Sequence, residues 1–281
     1  MSAPDPAGTS QPSLLMVIDP AAKLWDGESV RIARDVLCAG APGVKLCLPD
    51  GPEETERALA RRGSRRPVVV GDDRALLRAV RLLHRERELE EAVLSVVPVG
   101  AAETTAVTCG LGVPADAVSA ARTVLDGVRQ RLGLLIDDSG GVVLGGIRIP
   151  GQPSGPEDAG RGGALRAKAA LSRACRPRAA AQRLRVEADG ELLADLDRPV
   201  REVSVSSPGS SHLPSGGVPS LAQVTVRPEG RDRAGLVRAR AKAVTVSGPD
   251  FRYRADALVG GPVRVRTWTA LAGAWSLTLP A

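Results

Sequence analysis

Aromatic residues are nearly absent from this sequence of 281 residues. Phe, Tyr and Trp together make up 2% of the chain, whereas 43% of the residues are hydrophobic. A core must therefore be built mainly from Val, Leu, Ala and Ile, and the chain is long enough to bury one. Proteins that bind single-stranded nucleic acid stack the bases on aromatic side chains, so this scarcity argues against nucleic acid as a partner.

Cysteine motifs and long apolar runs are missing as well. The four cysteines are far apart and form no C-x-x-C motif, which argues against a zinc site and against a disulfide framework. No apolar run approaches the roughly 18 residues that a membrane span needs, and the amino terminus shows no signal-peptide pattern. These absences predict a cytoplasmic protein.

Lysine is rare, so arginine supplies nearly all of the positive charge. The formal net charge is +6 and the isoelectric point is about 9.7. Such a charge favours phosphates, anionic membranes or nucleic acid as partners. Between residues 160 and 186 there are eight cations and no acid. We expect a membrane-docking patch in this segment, formed by Arg166, Lys168, Arg173, Arg176 and Arg178. The alternative is an ordinary solvated helix face.

The first half of the chain has the pattern of an α/β domain. Residues 1–12 are predicted to be a flexible leader. Four apolar runs then alternate with helical segments up to Gly100. Alternation of this kind predicts a parallel sheet covered by helices. We assign this nucleotide-binding-like domain to residues 13–130.

The second half predicts a different architecture. After residue 130 the sequence shows short alternating strands, with turns at Ser139–Gly141 and at Asp189-Gly190. We predict an antiparallel β-rich domain over residues 131–281, with a Pro/Gly linker at 150–163. Within it, the segments 141–149, 241–248, 251–258, 263–270 and 275–280 are predicted as separate strands.

Two turns follow the third and fourth apolar runs, where a parallel-sheet domain commonly binds a ligand. The third run enters the turn Gly71-Asp72-Asp73-Arg74-Ala75, and the fourth ends in the stretch PVGAAETTAVTCGLGVP, which begins at Pro98. A phosphate loop uses glycine because glycine lets backbone N–H groups approach phosphate oxygens closely. This sequence has only Gly71 in the first turn. We therefore expect a steric penalty at Asp72 and Arg74, if the turn requires positive φ angles there.

These features resemble the diacylglycerol kinase family of bacterial lipid kinases. In that family the first strand ends in Asn-Pro, the third runs into Gly-Gly-Asp-Gly-Thr, and the fourth ends in Pro-x-Gly-Thr-x-Asn. A late strand pair of the family carries Asp-Gly-Glu. The corresponding residues here are Asp19-Pro20, then Gly71 to Ala75, then the stretch from Pro98, then Asp256-Ala257-Leu258. The order and spacing match over nearly the whole chain, and the motifs match in part.

The resemblance implies an ATP-dependent lipid kinase that uses Mg²⁺. It implies that Asp73 is the magnesium-linked carboxylate and Asp256 is the base that accepts the proton of the substrate hydroxyl. The nucleotide-binding residues would be Gly71, Asp72, Arg74, Gly100 and Glu103. A lipid substrate or an anionic membrane surface and a nucleotide are the implied partners, which places the protein at the membrane periphery.

The departures from the family pattern leave other interpretations open. Threonine hydroxyls are lost at Ala75 and Ala101, and Glu103 replaces an asparagine. The activity is therefore either an impaired lipid kinase or that of a non-catalytic protein that binds a lipid or a nucleotide. A basic protein associated with nucleic acid is a third and weaker option. Asp73 also fits the role of a helix cap, and Asp256 fits a β-turn.

Overall fold

The computed structural model describes residues 13–151, 181–209, 221–229 and 235–281. The predicted leader and most of the predicted linker lie outside these ranges. Within the described residues the chain forms six helices: α1 (Pro20–Trp25), α2 (Gly27–Gly40), α3 (Pro52–Ala60), α4 (Asp73–Arg85), α5 (Ala106–Gly110) and α6 (Ala117–Asp126).

The strands fall into four that alternate with helices and ten that follow α6. In the described part of the chain they are β1 (Leu14–Ile18), β2 (Val44–Cys47), β3 (Arg66–Gly71), β4 (Val93–Pro98), β5 (Val128–Asp137), β6 (Val142–Val143), β7 (Gly146–Ile149), β8 (Arg185–Ala188), β9 (Glu191–Ala194), β10 (Val200–Ser206), β11 (Ala222–Pro228), β12 (Val237–Ala241), β13 (Ala243–Ala255) and β14 (Leu258–Leu279).

The first four strands form a parallel sheet in the order β4-β3-β1-β2. Strand β1 is buried along its whole length, and β3 and β4 are buried from their second residue onward. Continuous burial of this kind is expected where helices cover both faces of a parallel sheet. Helix α4 contributes a wide apolar face, with Leu76, Val80 and Leu83 fully buried. The carboxyl ends of β1, β3 and β4 lie at one edge of this sheet.

The later strands form an antiparallel region with its own core. Strands β7, β10, β11 and β12 are neighbours in one layer. Strand β13 pairs with β14 and β8, and its last two residues pair with β7. Phe251, Tyr253 and Trp268 are buried in this core, and the rings of Tyr253 and Trp268 make an edge-to-face contact with centroids 5.2 Å apart. Three of the chain's few aromatic side chains thus stabilise the antiparallel region.

Strand β14 joins the two regions. It has 22 residues, pairs with β13 and β5, and ends beside β4, where Ser276 and Leu277 pair in parallel with Val93 and Leu94. The prediction of separate strands at 263–270 and 275–280 is wrong, because the two are parts of β14. The register shifts between Leu271 and Trp275, and Gly273 in this interval has φ +56°. A bulge therefore absorbs the irregular residues without ending the strand.

Both predicted hairpins are confirmed. Asp189 and Gly190 have φ angles of +49° and +87° and join β8 to β9, as a type I′ turn requires. Residues 138–141 join β5 to β6. The predicted strand at 141–149 is instead split into β6 and β7. The predicted strand at 241–248 begins at the last residue of β12, and most of it joins the predicted strand at 251–258 in β13, which ends at Ala255.

The predicted fold class is confirmed: a parallel-sheet α/β region is followed by an antiparallel β-rich region. Among the described residues, no helix has both the length and the apolar character that are needed to cross a bilayer.

Candidate functional site

The turn after β3 is an ordinary capped start of a helix. Asp72 is the N-cap of α4, with φ −89° and ψ −176°, and its carboxylate accepts a hydrogen bond from the Ala75 N–H at 3.0 Å. Asp73 and Arg74 already belong to the helix. None of these residues has a positive φ angle, so the predicted steric penalty at Asp72 and Arg74 is wrong. The side-chain cap lets this turn form without glycine.

Asp73 is buried and connects this turn to the next loop. Its backbone N–H donates to the Thr104 carbonyl at 2.8 Å. Its carboxylate accepts hydrogen bonds from the N–H of Val107 at 2.9 Å, the N–H of Thr108 at 2.8 Å and the Thr108 hydroxyl at 2.7 Å. Thr105, the N-cap of α5, makes no capping bond with its own side chain. Asp73 therefore caps α5 and not, as the sequence suggested, α4.

The electrostatic environment of Asp73 is unfavourable to its charge. Burial raises the pKa of the carboxyl group, and the hydrogen bonds from Thr108 and Val107 oppose this rise. The negative charge of Asp72 raises the pKa further. Burial alone would favour the protonated, neutral form of Asp73, and these hydrogen bonds favour the charged carboxylate.

The loop after β4 lies directly against the loop after β3. A Cβ atom added at Gly100 would lie 3.5 Å from the Cβ of Asp72 and 2.6 Å from the Thr104 hydroxyl. Gly100 has φ +158°, and Gly71 is enclosed by Asp19 and Ala75. Arg74 and Glu103 are exposed at the surface of these loops. The five predicted nucleotide-binding residues therefore belong to two adjoining loops.

Asp256 lies in the turn between β13 and β14 with φ +50°. Its carboxylate accepts hydrogen bonds from the N–H groups of Leu144, Gly145 and Gly146, at 2.6, 2.8 and 3.1 Å. The residue as a whole keeps some exposed surface, whereas its carboxylate is enclosed by protein atoms. Burial raises the pKa of this carboxyl group, the three backbone hydrogen bonds lower it, and the negative charge of Asp73 raises it.

The structure brings Asp256 to the loops of the parallel region. A Cβ atom added at Gly145 would lie 3.2 Å from the Asp256 carboxylate and 3.3 Å from the Val107 side chain, so only glycine fits there without displacement. Val107 in turn donates its N–H to Asp73. A short series of contacts therefore links the two carboxylates: Asp73 contacts Val107, Val107 packs beside Gly145, and Gly145 packs beside Asp256.

Another buried carboxylate, that of Asp19, lies at the same edge of the sheet. Asp19 follows β1, caps α1 through the Ala21 N–H at 2.9 Å and forms an ion pair with Arg78 of α4. The Asp19 side chain is 8% exposed. This ion pair fixes α4 against the end of β1, next to Gly71.

Helix α5 engages the Asp73 carboxylate, because both of its oxygens accept hydrogen bonds from α5. Magnesium in nucleotide sites is bound by one or two carboxylates together with substrate phosphates, so an ion at Asp73 would share these oxygens with the N–H groups of α5. Among the described residues, no group of three or more His, Cys, Asp or Glu side chains is placed to hold a metal ion. The contacts that the structure shows for Asp73 are those of a helix cap.

A groove of about 760 Å³ lies away from these carboxylates, and its lining includes His84, Glu90, Arg131 and Leu271. His84 and Glu90 precede β4, whereas the candidate site follows the carboxyl ends of β3 and β4. The groove is therefore not part of the candidate site. The predicted membrane patch, Arg166 to Arg178, lies outside the described residues.

Several residues of this site were not identified from the sequence. They are the donors to the two carboxylates and the partner of Asp19: Val107, Thr108, Leu144, Gly145, Gly146 and Arg78. The pair Gly145-Gly146 interrupts an apolar run that the sequence pattern indicates as one strand. A glycine inside such a run often marks a close backbone approach, and that signal could have identified this loop.

No protein-family model matches the chain, and no curated protein sequence matches it. Solved structures, in contrast, match this chain in fold. A protein from Bacillus anthracis str. Sterne assigned as a diacylglycerol kinase is 13% identical, with a TM-score of 0.71 over 95% of this chain and 97% of its own. A second structure with the same assignment and source is 14% identical and has a TM-score of 0.70, and the match covers 95% of this chain and 96% of that one. A third structure, of a diacylglycerol kinase from the same strain, is 13% identical and has a TM-score of 0.67. This match covers 95% of this chain and 96% of that one.

This chain therefore has the fold of those diacylglycerol kinase structures over nearly its whole length, in both regions. The resemblance that the sequence suggested is confirmed at the level of the fold.

Proposed function

We propose that this protein is a diacylglycerol kinase-like lipid-binding protein in which phosphoryl transfer from ATP is strongly impaired. The proposal combines the fold, which is similar to that of diacylglycerol kinases, with a site whose polar groups bind one another. A lipid that carries a free hydroxyl group is the ligand class that the fold suggests.

One observation carries the proposal: several N–H groups at the two loops and at the start of α5 already have partners within the chain. Asp72 binds the Ala75 N–H, Thr104 binds the Asp73 N–H, and Asp73 binds two N–H groups of α5. A phosphate would have to displace a carboxylate from such groups. Hydrogen bonds to a charged partner contribute about 1.5–3 kcal/mol each, so the exchange removes much of the binding energy of a phosphate.

Impaired transfer follows from the same arrangement. Phosphoryl transfer depends on positioning and on stabilisation of the charge on the transferred group. The Asp72 carboxylate stands where the family pattern has a glycine, and its negative charge would oppose the binding of a polyphosphate at this turn.

A lipid kinase assay tests the proposal. Purified full-length chain would be incubated with diacylglycerol in mixed micelles, magnesium and ATP labelled on the γ-phosphate. We expect transfer that does not exceed that of the Asp256→Asn variant. Transfer by the wild type that is lost in Asp256→Asn would contradict the proposed impairment.

Two binding measurements complete the test. A fluorescent short-chain diacylglycerol is expected to bind the chain saturably and to be displaced by unlabelled diacylglycerol. Mg-ATP is expected to leave the melting temperature unchanged, because a ligand that binds the folded state must raise it. Absence of saturable lipid binding would contradict the lipid assignment, and a clear rise with Mg-ATP would contradict the nucleotide assignment.

An active lipid kinase is the second candidate, and one observation favours it. Asp256 is a buried carboxylate with a raised pKa, beside a second buried carboxylate. A proton acceptor works best when its pKa approaches the working pH, and burial moves Asp256 in that direction. The labelled-ATP assay decides between the two candidates.

A further inference from the structure

The outer face of the antiparallel layer β7-β10-β11-β12 carries positive charge. Apolar residues of these strands, such as Val203, Val205, Val224 and Val226, point into the core and are buried. The residues between them point outward, because successive side chains on a strand alternate between its two faces. Among them are four exposed arginines, Arg148, Arg227, Arg238 and Arg240, which we call the arginine face.

The strand register aligns these arginines in rows. Residues directly opposite each other on antiparallel strands share one face of the sheet. One row crosses five strands through Arg254, Arg148, Ser204, Thr225 and Arg238. With strands about 4.8 Å apart, this row is roughly 19 Å long.

A second row runs parallel to the first and contains Ser206, Gln223 and Arg240. The residues between the arginines are short or neutral, so the guanidinium groups dominate this surface.

Few acidic side chains balance the positive charge of the arginine face. The four strands contain one acid, Glu202, against five arginines: Arg148, Arg201, Arg227, Arg238 and Arg240. Glu202 is shared by Arg148 at 3.0 Å and Arg227 at 3.9 Å. The side chains of Arg148 and Arg227 are 68% and 62% exposed, so these ion pairs are weak.

We propose that the arginine face docks the protein onto a bilayer that contains anionic phospholipids. A broad sheet face with charge of one sign complements the negative surface of such a bilayer. Guanidinium groups bind phosphate oxygens in pairs of hydrogen bonds, which suits phospholipid headgroups. The face lacks the aromatic side chains that would stack nucleic-acid bases.

The arginine face adjoins the candidate site. Arg254 lies opposite Arg148 in the first row, and its Nε donates to the Asp256 carbonyl at 3.0 Å. A bilayer bound to this face would therefore lie beside the turn that carries Asp256. The docking surface is separate from the site itself, so it does not depend on whether the proposed lipid binding is correct.

Sedimentation of the full chain with vesicles tests the inference. Vesicles of phosphatidylcholine alone would be compared with vesicles of phosphatidylcholine and phosphatidylglycerol, both without diacylglycerol and without ATP. We expect binding only to the anionic vesicles, with a loss as salt is raised. The double variant Arg238→Gln/Arg240→Gln is expected to bind about 25-fold more weakly, roughly fivefold per arginine.

Two further variants control the experiment. Arg61→Gln/Arg122→Gln removes the same charge from exposed positions of the parallel region, at the end of α3 and on α6, and is expected to change binding less than about twofold. Glu202→Gln removes the acid from the arginine face and is expected to strengthen binding, by up to about fivefold. If Arg238→Gln/Arg240→Gln lowers the melting temperature, Arg148→Gln/Arg227→Gln replaces it in the test.

Three results would overturn the inference. The first is equal binding to neutral and anionic vesicles. The second is an equal loss in the face variants and in Arg61→Gln/Arg122→Gln, which would indicate a general effect of charge or docking through another segment. The third is binding to duplex DNA that depends on the arginine face, with no binding to vesicles, which would assign the face to nucleic acid.

Discussion

The parallel and the antiparallel regions place their charged groups in opposite ways. At the carboxyl edge of the parallel sheet, Asp19 and Asp73 are buried and bind N–H groups or an arginine of the same chain. On the outer layer of the antiparallel region, Arg238 and Arg240 are exposed, and their strand contains no acid. The first arrangement stabilises the fold, and the second remains accessible to a ligand.

This difference separates charged groups that stabilise the fold from charged groups that a ligand can reach. A glycine-rich loop leaves N–H groups unpaired so that a phosphate can use them. At the start of α4 the Asp72 carboxylate accepts a hydrogen bond from the Ala75 N–H, so a side chain of the same chain stabilises this turn.

The largest expected effect comes from removing the carboxylate that connects the two loops. Asp73→Ala leaves the N–H groups of Val107 and Thr108 without a partner in a buried place. We expect the free energy of unfolding to fall by about 3 kcal/mol, measured by urea denaturation. Asp72→Ala is the matched control, because it removes only an N-cap and costs about 1 kcal/mol. An equal cost for the two variants would show that Asp73 does not have the structural role assigned to it.

The next prediction uses the pH dependence of stability to examine Asp256. Burial raises the pKa of this carboxyl group in the folded protein above its value in the unfolded chain. The folded state then binds the proton more tightly, so this contribution to stability is complete below about pH 4 and is lost as the pH rises through the folded-state pKa.

Asp256→Asn should therefore reduce the loss of stability that sets in as the pH rises above about 4, measured by urea denaturation at a series of pH values. Asparagine tolerates the positive φ angle at this position, so the variant is expected to fold. The wild type and the variant would show the same pH dependence if the Asp256 carboxyl group were fully solvated.

The smallest expected effect concerns the affinity for ATP. Asp72→Gly/Arg74→Gly removes the capping carboxylate and frees the Ala75 N–H, while Asp73 stays in place. We expect binding of Mg-ATP to improve by about tenfold over a weak wild type, in calorimetric titrations, with most of the gain from Asp72→Gly alone. Tight binding by the wild type, weakened by these changes, would instead show that Asp72 and Arg74 form a working variant of the loop.

The sequence predicted the parallel region well because its signals are local. Each apolar run is bounded by turn residues, and helices such as α3 begin with Pro and acids. The antiparallel region was predicted as a class but not strand by strand. The 22 residues of β14 contain a bulge at Gly273, and a pattern of alternation cannot distinguish a bulge from the end of a strand.

The site was harder to predict than the fold because its contacts are distant in sequence. The donors to Asp73 lie 34 and 35 residues away, and those to Asp256 lie 110 to 112 residues away. Only the resemblance to a known family indicated both carboxylates. The contacts of Asp73 with α5 could not be read from the sequence, because a helix cap supplied from another loop leaves no local pattern.

Strand β14 has a consequence for the order in which the chain can fold during synthesis. Its last residues, with Trp275, Leu277 and Leu279, fill the core of the parallel region and pair with β4. That core cannot close while the ribosome still holds residues 275–279. The helices and strands that emerge first therefore keep the β4 edge of their sheet unpaired until residues 275–279 have left the ribosome.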